Sequence, residues 1–145
     1  MIREKSCGAV VFRREGGERQ YLLEAMRQGH VSLCKGHVEG AETERETARR
    51  EISEETGLAV AFVEGFRESI EYSPREGVRK SVVFFLAEAS GGEMKPQPEE
   101  VASLRWSSLS EALAALTYED DRRVLRAADA FLAPREAGEQ NGREK

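Results

Sequence analysis

The sequence predicts an α/β (α+β) fold in which a mixed β-sheet carries helices on both faces. The chain has 145 residues, of which 39% are hydrophobic, so it is long enough for one domain with a single core and short for two. Apolar segments rich in Val, Ile and Phe read as strands. Because hairpins and helical patterns are interspersed among them, a mixed sheet fits better than a strict alternation of strand and helix.

The N-terminal part of the chain contains a predicted β-hairpin. Lys5–Arg13 is rich in small and β-branched residues, and Gln20–Met26 is a second apolar segment. The polar turn between them holds Gly16 and Gly17. Two such segments joined by a glycine-containing turn are typical of paired strands. A loop that carries His30 follows the hairpin.

A helix is predicted from Thr43 to Thr56. This segment has good helix formers and neither Gly nor Pro, and Glu46 follows Thr43 by three residues. The spacing is typical of a capping box, in which two side chains satisfy backbone N–H groups that the helix leaves free. Thr43 is therefore the predicted N-cap, and Gly57 is the predicted end of the helix.

The second half of the chain contains four further strand segments and two helical patterns. The strands are predicted at Leu58–Phe66, Ser69–Tyr72, Ser81–Ala89 and Leu104–Trp106. The helices are predicted at Leu109–Leu116 and Tyr118–Leu132. We expect a folded domain over residues 1–133, followed at 134–145 by a polar tail without ordered structure.

Charge and composition exclude several classes of protein. A formal net charge of -5 and a pI near 5.3 would repel nucleic acid, so no stable nucleic-acid partner is expected, and a phosphate-rich ligand needs local cations. Cys7 and Cys34 are too few for a disulfide framework. Neither a secretory signal nor an apolar run of the roughly 20 residues that span a bilayer is present. These features predict a cytoplasmic protein that does not enter a membrane.

Three carboxylates share one face of the predicted helix. Glu51, Glu54 and Glu55 are three and four residues apart, whereas Ala48 and Ile52 fall on the neighbouring face, which would pack on the sheet. Like charges at this spacing repel by on the order of a few tenths of a kcal/mol per pair, and a bound cation would reverse that effect. Carboxylate-only ligands suit Mg²⁺ or Mn²⁺. A simply solvated acidic face is about as common, so the surrounding residues decide.

A longer motif surrounds these carboxylates. From Gly36 the chain reads GHVEGAETERETARREISEETGL. This segment resembles the Nudix box: Gly, five residues, Glu, seven residues, Arg-Glu, an apolar residue, any residue, Glu-Glu, any residue, Gly, an apolar residue. The fixed positions are filled by Gly36, Glu42, Arg50, Glu51, Ile52, Glu54, Glu55, Gly57 and Leu58. The chain is identified as a member of the Nudix hydrolase family, with the resemblance covering about Lys5 to Leu132.

The resemblance implies a Nudix-type α/β/α sandwich with a mixed β-sheet. In that fold a loop, a helix and a loop hold Mg²⁺, or Mn²⁺ in its place, against the substrate phosphates. Glu51 and Glu55 would be metal ligands, and the backbone carbonyl at Gly36 would complete the set. Glu54 would be either a further metal ligand or the general base. The chemistry calls for no cysteine or serine nucleophile.

The resemblance also implies a role for Arg50. Together with Glu51 and Glu54 it would form the catalytic group, and it would pair with Glu42 to brace the loop against the helix. The alternative interpretation of that pair is an ordinary surface salt bridge worth under about 1 kcal/mol. Gly36 is predicted to allow a tight backbone turn that a side chain would obstruct.

Segments outside the box resemble asymmetric dinucleoside tetraphosphate hydrolases, which split diadenosine tetraphosphate into ATP and AMP. These segments are KGHVEGAE, SCGAVVFRR, EGFRESIEYSP and RKSVVFFLAEA. The resemblance implies that Tyr72 lies against an adenine ring, that Lys80 contacts phosphate, and that Glu100 is another metal ligand. The other predicted substrate-binding residues are Lys35, His37 and Tyr118.

Some positions depart from that group or allow a second interpretation. The group usually carries Trp and Pro ahead of the Lys-Gly pair, where this chain has Val31 and Cys34. An aromatic contact and a stiff loop are thereby lost. Cys34 is expected near the site as a target for oxidation or metal poisoning, without a catalytic role. Glu99 is the alternative to Glu100, and Tyr72 is alternatively an aromatic residue at a strand edge.

Two rival functions remain open from the sequence. One is another Nudix activity, on an inositol pyrophosphate, an RNA 5′ end or an oxidised nucleoside triphosphate, because the box specifies the chemistry and not the group attached to the phosphates. The other is a regulatory domain that binds a nucleotide without cleaving it. Such domains typically lose carboxylates of the box, and this chain keeps them all. The favoured prediction is a magnesium-dependent hydrolase that acts on a small-molecule nucleotide. The sequence does not determine its oligomeric state.

Overall fold

A computed structural model describes the backbone of residues 1–143 and the side chains of residues 1–135. Within them, strands and helices follow the predicted order, with two short strands added. The strands are β1 (Ile2–Glu15), β2 (Glu18–Met26), β3 (Val31–Ser32), β4 (Cys34–His37), β5 (Leu58–Phe62), β6 (Glu68–Tyr72), β7 (Val78–Gly92) and β8 (Val101–Ser107). The helices are α1 (Glu44–Thr56), α2 (Leu109–Ala115) and α3 (Glu119–Arg143).

Two long strands form the middle of the sheet. β1 and β7 run parallel, with Ile2 opposite Val78 and Phe12 opposite Glu88. All other neighbours are antiparallel, so the sheet is mixed, as predicted. Each long strand has two partners along its outer edge: β1 pairs with β4 and then β2, and β7 pairs with β6 and then β5. This exchange of partners brings β4 alongside the first half of β1.

Helices cover both faces of the sheet, as the predicted sandwich requires. On one face, Ala48 and Ile52 of α1 are fully buried in a core that includes Val11 and Val83. On the other face, α2 and α3 bury a second set of apolar residues against β1, β2 and β7. Burial of a side chain such as Ile52 stabilises the fold by about 1.5–3 kcal/mol. The apolar face of α1 is therefore anchored, and its carboxylate face is fixed relative to β4.

The ends of α1 form as the sequence predicts. The hydroxyl of Thr43 accepts a hydrogen bond from the backbone N–H of Glu46 at 3.1 Å, and the Glu46 carboxylate accepts one from the Thr43 N–H at 2.8 Å. At the other end Gly57 has a φ of 76°, which favours glycine, and its N–H donates to the Ser53 carbonyl. Capping of this kind contributes about 1 kcal/mol and fixes where the helix begins.

Three elements differ from the prediction. Strands β3 and β4 lie in the predicted loop around His30, because they are held by pairing with distant strands and not by a periodic pattern of their own. The strand predicted to reach Phe66 ends at Phe62, ahead of a turn in which Gly65 has a φ of 96°.

Among the described residues, no helix has the length and apolar character that a bilayer span requires.

The C-terminal helix is longer than predicted. α3 continues across Pro134 to Arg143, so helical backbone stands where we predicted a tail without order. The added segment contains Arg, Glu and Ala, which favour helix, but also Pro134 and Gly138, which oppose it, so its composition does not account for the extension. Residues 144 and 145 of the predicted tail lie outside the described residues. The division of the chain at residue 133 stays a prediction.

A charged cluster joins the first turn of α1 to the sheet. The Glu44 carboxylate contacts the Lys5 ammonium at 2.6 Å and receives two hydrogen bonds from Arg67. The hydrogen bonds from Arg67, followed by that from Lys5, lower the pKa of Glu44 from 4.5 to about 2. A carboxylate whose pKa is lower in the folded than in the unfolded protein stabilises the fold at any pH above the unfolded-state pKa. This contribution is lost as the pH falls through the folded-state pKa.

We predict that Glu44→Gln lowers the free energy of unfolding by about 1 kcal/mol at neutral pH, because the ion pairs are lost. The deficit should shrink as the pH falls from 4.5 towards 2, because the wild-type carboxylate then becomes protonated. Urea denaturation at a series of pH values measures both effects. Glu76→Gln, which removes an exposed carboxylate in the turn before β7, is the control. A deficit that does not change with pH would contradict the assignment.

Candidate active site

The carboxylate face of α1 forms one wall of a cavity of about 580 Å³. Glu51, Glu54 and Glu55 all line it, although their exposure differs greatly. The Glu54 side chain is 56% exposed and the Glu51 side chain 13%, while Glu55 is buried at 3%. The helical spacing thus places three carboxylates around one space, as predicted, at three depths.

Gly36 lies in β4 directly against Glu51. A Cβ atom added to Gly36 would meet the Glu51 carboxyl carbon at 2.0 Å. The φ of Gly36 is not positive, and the residue pairs regularly with Cys7 of β1. The prediction that Gly36 allows a tight turn is therefore wrong: the absence of a side chain leaves the space that the Glu51 carboxylate occupies.

Arg50 connects the loop, the helix and two of the carboxylates. Its guanidinium donates to Glu42 at 2.7 and 3.0 Å, to Glu51 at 2.8 Å and to Glu54 at 3.1 Å. A further hydrogen bond, of 2.9 Å, reaches the backbone carbonyl of His37 at the end of β4. This paired geometry suits arginine and not lysine. The predicted pairing of Glu42 with Arg50 is confirmed, while the predicted place of Arg50 in the catalytic group stays a prediction.

Glu42 is held in turn by the loop. Its carboxylate accepts hydrogen bonds from the backbone N–H of Glu39 and from the Thr47 hydroxyl, at 3.0 and 2.9 Å. The Arg50 hydrogen bonds, followed by the backbone hydrogen bond from Glu39, lower the pKa of Glu42 to about 2. The loop that precedes α1 is thereby fixed to the helix by an ionised carboxylate.

A second buried carboxylate lies behind the helix face. Glu24 of β2, Cys34 of β4 and Glu55 offer ligand atoms that all lie within 4.8 Å of one another. Burial, followed by the charge of Glu24, raises the pKa of Glu55 well above its usual range, and burial likewise raises the pKa of Glu24. Without a nearby cation these carboxyl groups are therefore driven towards the protonated form.

A second cavity, of about 670 Å³, adjoins the first. Lys35 and Lys80 line both cavities. Tyr72 and Tyr118 line the second cavity, where the Lys35 ammonium lies 5.8 Å from the centre of the Tyr72 ring. Burial, followed by the charge of Lys35, lowers the pKa of Lys80. Two cations therefore separate a carboxylate-lined space from an aromatic one.

The structure brings together nearly all residues that the sequence singled out. The first cavity is lined by the predicted residues Lys35, Gly36, His37, Glu51, Glu54, Glu55, Lys80 and Glu100. Glu100 lines the cavity, whereas its neighbour Glu99 does not and accepts a hydrogen bond from Gln97 instead. His37 lines the cavity, and its backbone carbonyl accepts the hydrogen bond from Arg50.

Several residues of this region were not predicted from the sequence. Ser6 and Gln97 line the first cavity, and Asp120 and Asp121 line the second. Glu24 was also missed, although a single acidic residue within the apolar segment YLLEAM was a signal that could have found it. A glutamate inside a buried strand needs a partner or a cation, and that requirement was visible in the sequence.

Comparisons with known proteins agree with this architecture. Residues 3–128 match the NUDIX domain. The asymmetrical bis(5′-nucleosyl)-tetraphosphatase of Rattus norvegicus is 31% identical over 140 residues, which cover 88% of this chain and 95% of the rat protein. The 8-oxo-(d)GTP phosphatase of Mycolicibacterium smegmatis is 34% identical over 132 residues, which cover 84% of this chain but 40% of that protein. The crystal structure of a Caenorhabditis elegans Ap4A hydrolase binary complex has a TM-score of 0.83 and 28% identity, covering 90% of this chain and 98% of that one.

The fold and the carboxylate site are those of a phosphoanhydride-cleaving enzyme, and the chain belongs to the Nudix hydrolase family. It is a Nudix pyrophosphohydrolase. Members of this family generally use divalent metal ions.

Two glycines allow a direct test of the close approach at Gly36. We predict that Gly36→Ala lowers the free energy of unfolding by less than about 1 kcal/mol, because the three atoms nearest the added methyl group all belong to the end of the Glu51 side chain, which can rotate away if its hydrogen bond to Arg50 is released. Gly8→Ala is the matched contrast, since its Cβ would meet the Cys34 carbonyl oxygen at 1.9 Å and backbone cannot yield. That variant should lose about 1–3 kcal/mol. Equal losses in urea denaturation would contradict this account.

Proposed function

We propose that this enzyme is a magnesium-dependent hydrolase that cleaves diadenosine tetraphosphate asymmetrically to ATP and AMP. The observation that supports it is the pair of adjoining cavities, one lined by carboxylates and the other by tyrosines, with Lys35 and Lys80 at their junction. A dinucleoside polyphosphate has the matching sequence of groups, namely a base, a chain of phosphates and a cleavable anhydride.

The carboxylate cavity fits a hard divalent cation. Glu51, Glu54 and Glu55 would hold Mg²⁺ together with Glu100 and the backbone carbonyl of Gly36, and Mn²⁺ could replace it. A buried carboxyl with a raised pKa, such as that of Glu55, is a group that a cation would favour in its ionised form. When bound, the ion supplies charge neutralisation for the phosphates and an activated water for attack on phosphorus.

The chain's own residues position this chemistry. Arg50 holds Glu51 and Glu54 by direct hydrogen bonds, which limits the directions in which their oxygens can face. Glu54 is the more exposed of the two, so it can approach a water molecule and serve as the base in place of its role as a metal ligand. Lys35 and Lys80 neutralise the phosphates beyond the cleaved bond, which an acidic protein otherwise repels.

The second cavity would bind the nucleoside. Tyr72 and Tyr118 offer aromatic faces, and stacking of a base on such a face contributes about 1–3 kcal/mol. His30 lies against Tyr118, with ring centres 5.8 Å apart, and supports that ring. Because the base would sit at a fixed distance from the carboxylates, one anhydride of the phosphate chain is presented for attack, and cleavage is asymmetric.

A second candidate substrate is an oxidised guanine triphosphate. The relative from Mycolicibacterium smegmatis, an 8-oxo-(d)GTP phosphatase by name, favours it. An inositol pyrophosphate fits the chemistry but has no base for the tyrosines, whereas an RNA 5′ end has one and would also require room for the rest of the strand. A regulatory domain that only binds nucleotides would not need the complete carboxylate set. We also propose a cytoplasmic location, consistent with the free thiols of Cys7 and Cys34.

We predict that diadenosine tetraphosphate, offered with Mg²⁺ beside an inositol pyrophosphate, ADP-ribose and an oxidised guanine triphosphate, has the highest kcat/KM. In water labelled with heavy oxygen, mass spectrometry should find ATP and AMP, with the label in only one of them. Two ADP molecules would contradict the asymmetric mechanism. A preference for the oxidised triphosphate would support the second candidate and leave the Nudix chemistry intact.

The neighbouring residues Glu99 and Glu100 give a matched pair of variants. We predict that Glu100→Gln lowers kcat by about tenfold or more, because it removes a carboxylate from the cavity, while Glu99→Gln has little effect. Steady-state kinetics at saturating Mg²⁺ measures both. The reverse pattern would move the ligand to Glu99, and no effect of either would remove this segment from the metal site.

A further inference from the structure

A buried cluster of three potential ligands lies behind the carboxylate cavity. Glu24, Cys34 and Glu55 come from β2, β4 and α1, so three separate elements direct one ligand atom each towards a common point. The Cys34 thiol contacts a Glu55 carboxylate oxygen at 3.8 Å. Glu55 also lines the cavity, which gives the cluster an opening to solvent.

The cluster has an unsatisfied polar group. Glu24 is only 1% exposed, and among the described residues its Oε2 atom has no hydrogen-bond partner. A buried polar atom without a partner costs about 1–3 kcal/mol, and native structures contain few of them. Its position beside a thiol and a second carboxyl indicates that a ligand completes the group.

The chemistry of the three donors selects the class of ligand. A thiolate with two carboxylates suits Zn²⁺ or Cd²⁺, whereas Mg²⁺ prefers oxygen alone. In a tetrahedral site, bonds of about 2.3 Å to sulfur and about 2.0–2.2 Å to oxygen place two donors about 3.3–3.6 Å apart. The Cys34 sulfur and the nearer Glu55 oxygen, 3.8 Å apart, are close to this spacing, and because all three ligand atoms lie within 4.8 Å of one another, side-chain rotations would close the site.

We propose that Glu24, Cys34 and Glu55 form a binding site for a thiophilic divalent cation, Zn²⁺ or Cd²⁺. On binding, the Cys34 thiol and any protonated carboxyl of Glu24 and Glu55 give their protons to solvent, so that the sulfur and one oxygen of each carboxylate become ligands, with a fourth position open towards the cavity. Because Glu55 also belongs to the proposed magnesium set, the thiophilic ion would withdraw that carboxylate and inhibit hydrolysis. The cation site stands independently of the proposed function, and only the inhibition depends on it.

Cadmium titration of the purified protein tests the site directly. We expect one equivalent of Cd²⁺ to produce the ultraviolet charge-transfer absorption of a thiolate–cadmium bond, and Cys34→Ser and Cys34→Ala to abolish it. Cys7→Ser is the matched control, because Cys7 is also buried and free but lies outside the cluster, and it should keep the absorption. Circular dichroism verifies that each variant is folded. Absence of the absorption in the wild type, or its persistence without Cys34, would overturn the proposal.

A second variant tests the carboxylate ligand. Glu24→Gln should weaken Cd²⁺ binding by at least about tenfold while keeping the absorption, since the amide is a poor ligand. Unchanged affinity would remove Glu24 from the site and overturn the three-ligand proposal. Excess Mg²⁺ should weaken Cd²⁺ binding if both ions use Glu55. If Mg²⁺ does not compete with Cd²⁺, the two ions do not share Glu55, and the proposed inhibition is rejected. The charge-transfer absorption would still test the binding of Cd²⁺ by Cys34.

Discussion

The ion pairs of Arg50 hold the site together. One turn of α1 carries Glu51, Glu54 and Glu55, which repel one another when ionised, and Arg50 donates to the first two at 2.8 and 3.1 Å. The same guanidinium binds Glu42 in the preceding loop and the backbone of β4. Because one planar group connects three segments, the carboxylates stay gathered in a protein without bound cation, where repulsion would otherwise spread them.

The two faces of α1 differ in character, which explains how a charged helix is anchored to the sheet. Ala48 and Ile52 are fully buried against the sheet, and this burial offsets the repulsion among the carboxylates on the neighbouring face. The long strands β1 and β7 then place the other components. β4 pairs with β1 and presents Gly36 to the helix, while Lys80 of β7 reaches both cavities. The site is thus built where one helix face meets three neighbouring strands.

Local features of the sequence predicted much of this arrangement. Thr43 and Gly57 delimit the helix through contacts within a few residues, and the spacing of Glu51 and Glu55 fixes their common face. Glu24 was not predicted, because its closeness to Glu55 depends on how β2 and β4 lie beside the helix, which no local pattern encodes. Gly36 was recognised, but for the wrong reason, since the approach of Glu51 arises from tertiary packing.

The central claim is that the fold gathers carboxylates at a cost in repulsion that a divalent cation relieves. The most direct measurement is the melting temperature as a function of Mg²⁺ concentration, for the wild type and for Glu51→Gln, at constant ionic strength. Preferential binding to the folded state should raise the wild-type melting temperature steadily with Mg²⁺, and most of this rise should disappear in the variant. No rise in the wild type, or an equal rise in both proteins, would contradict the claim.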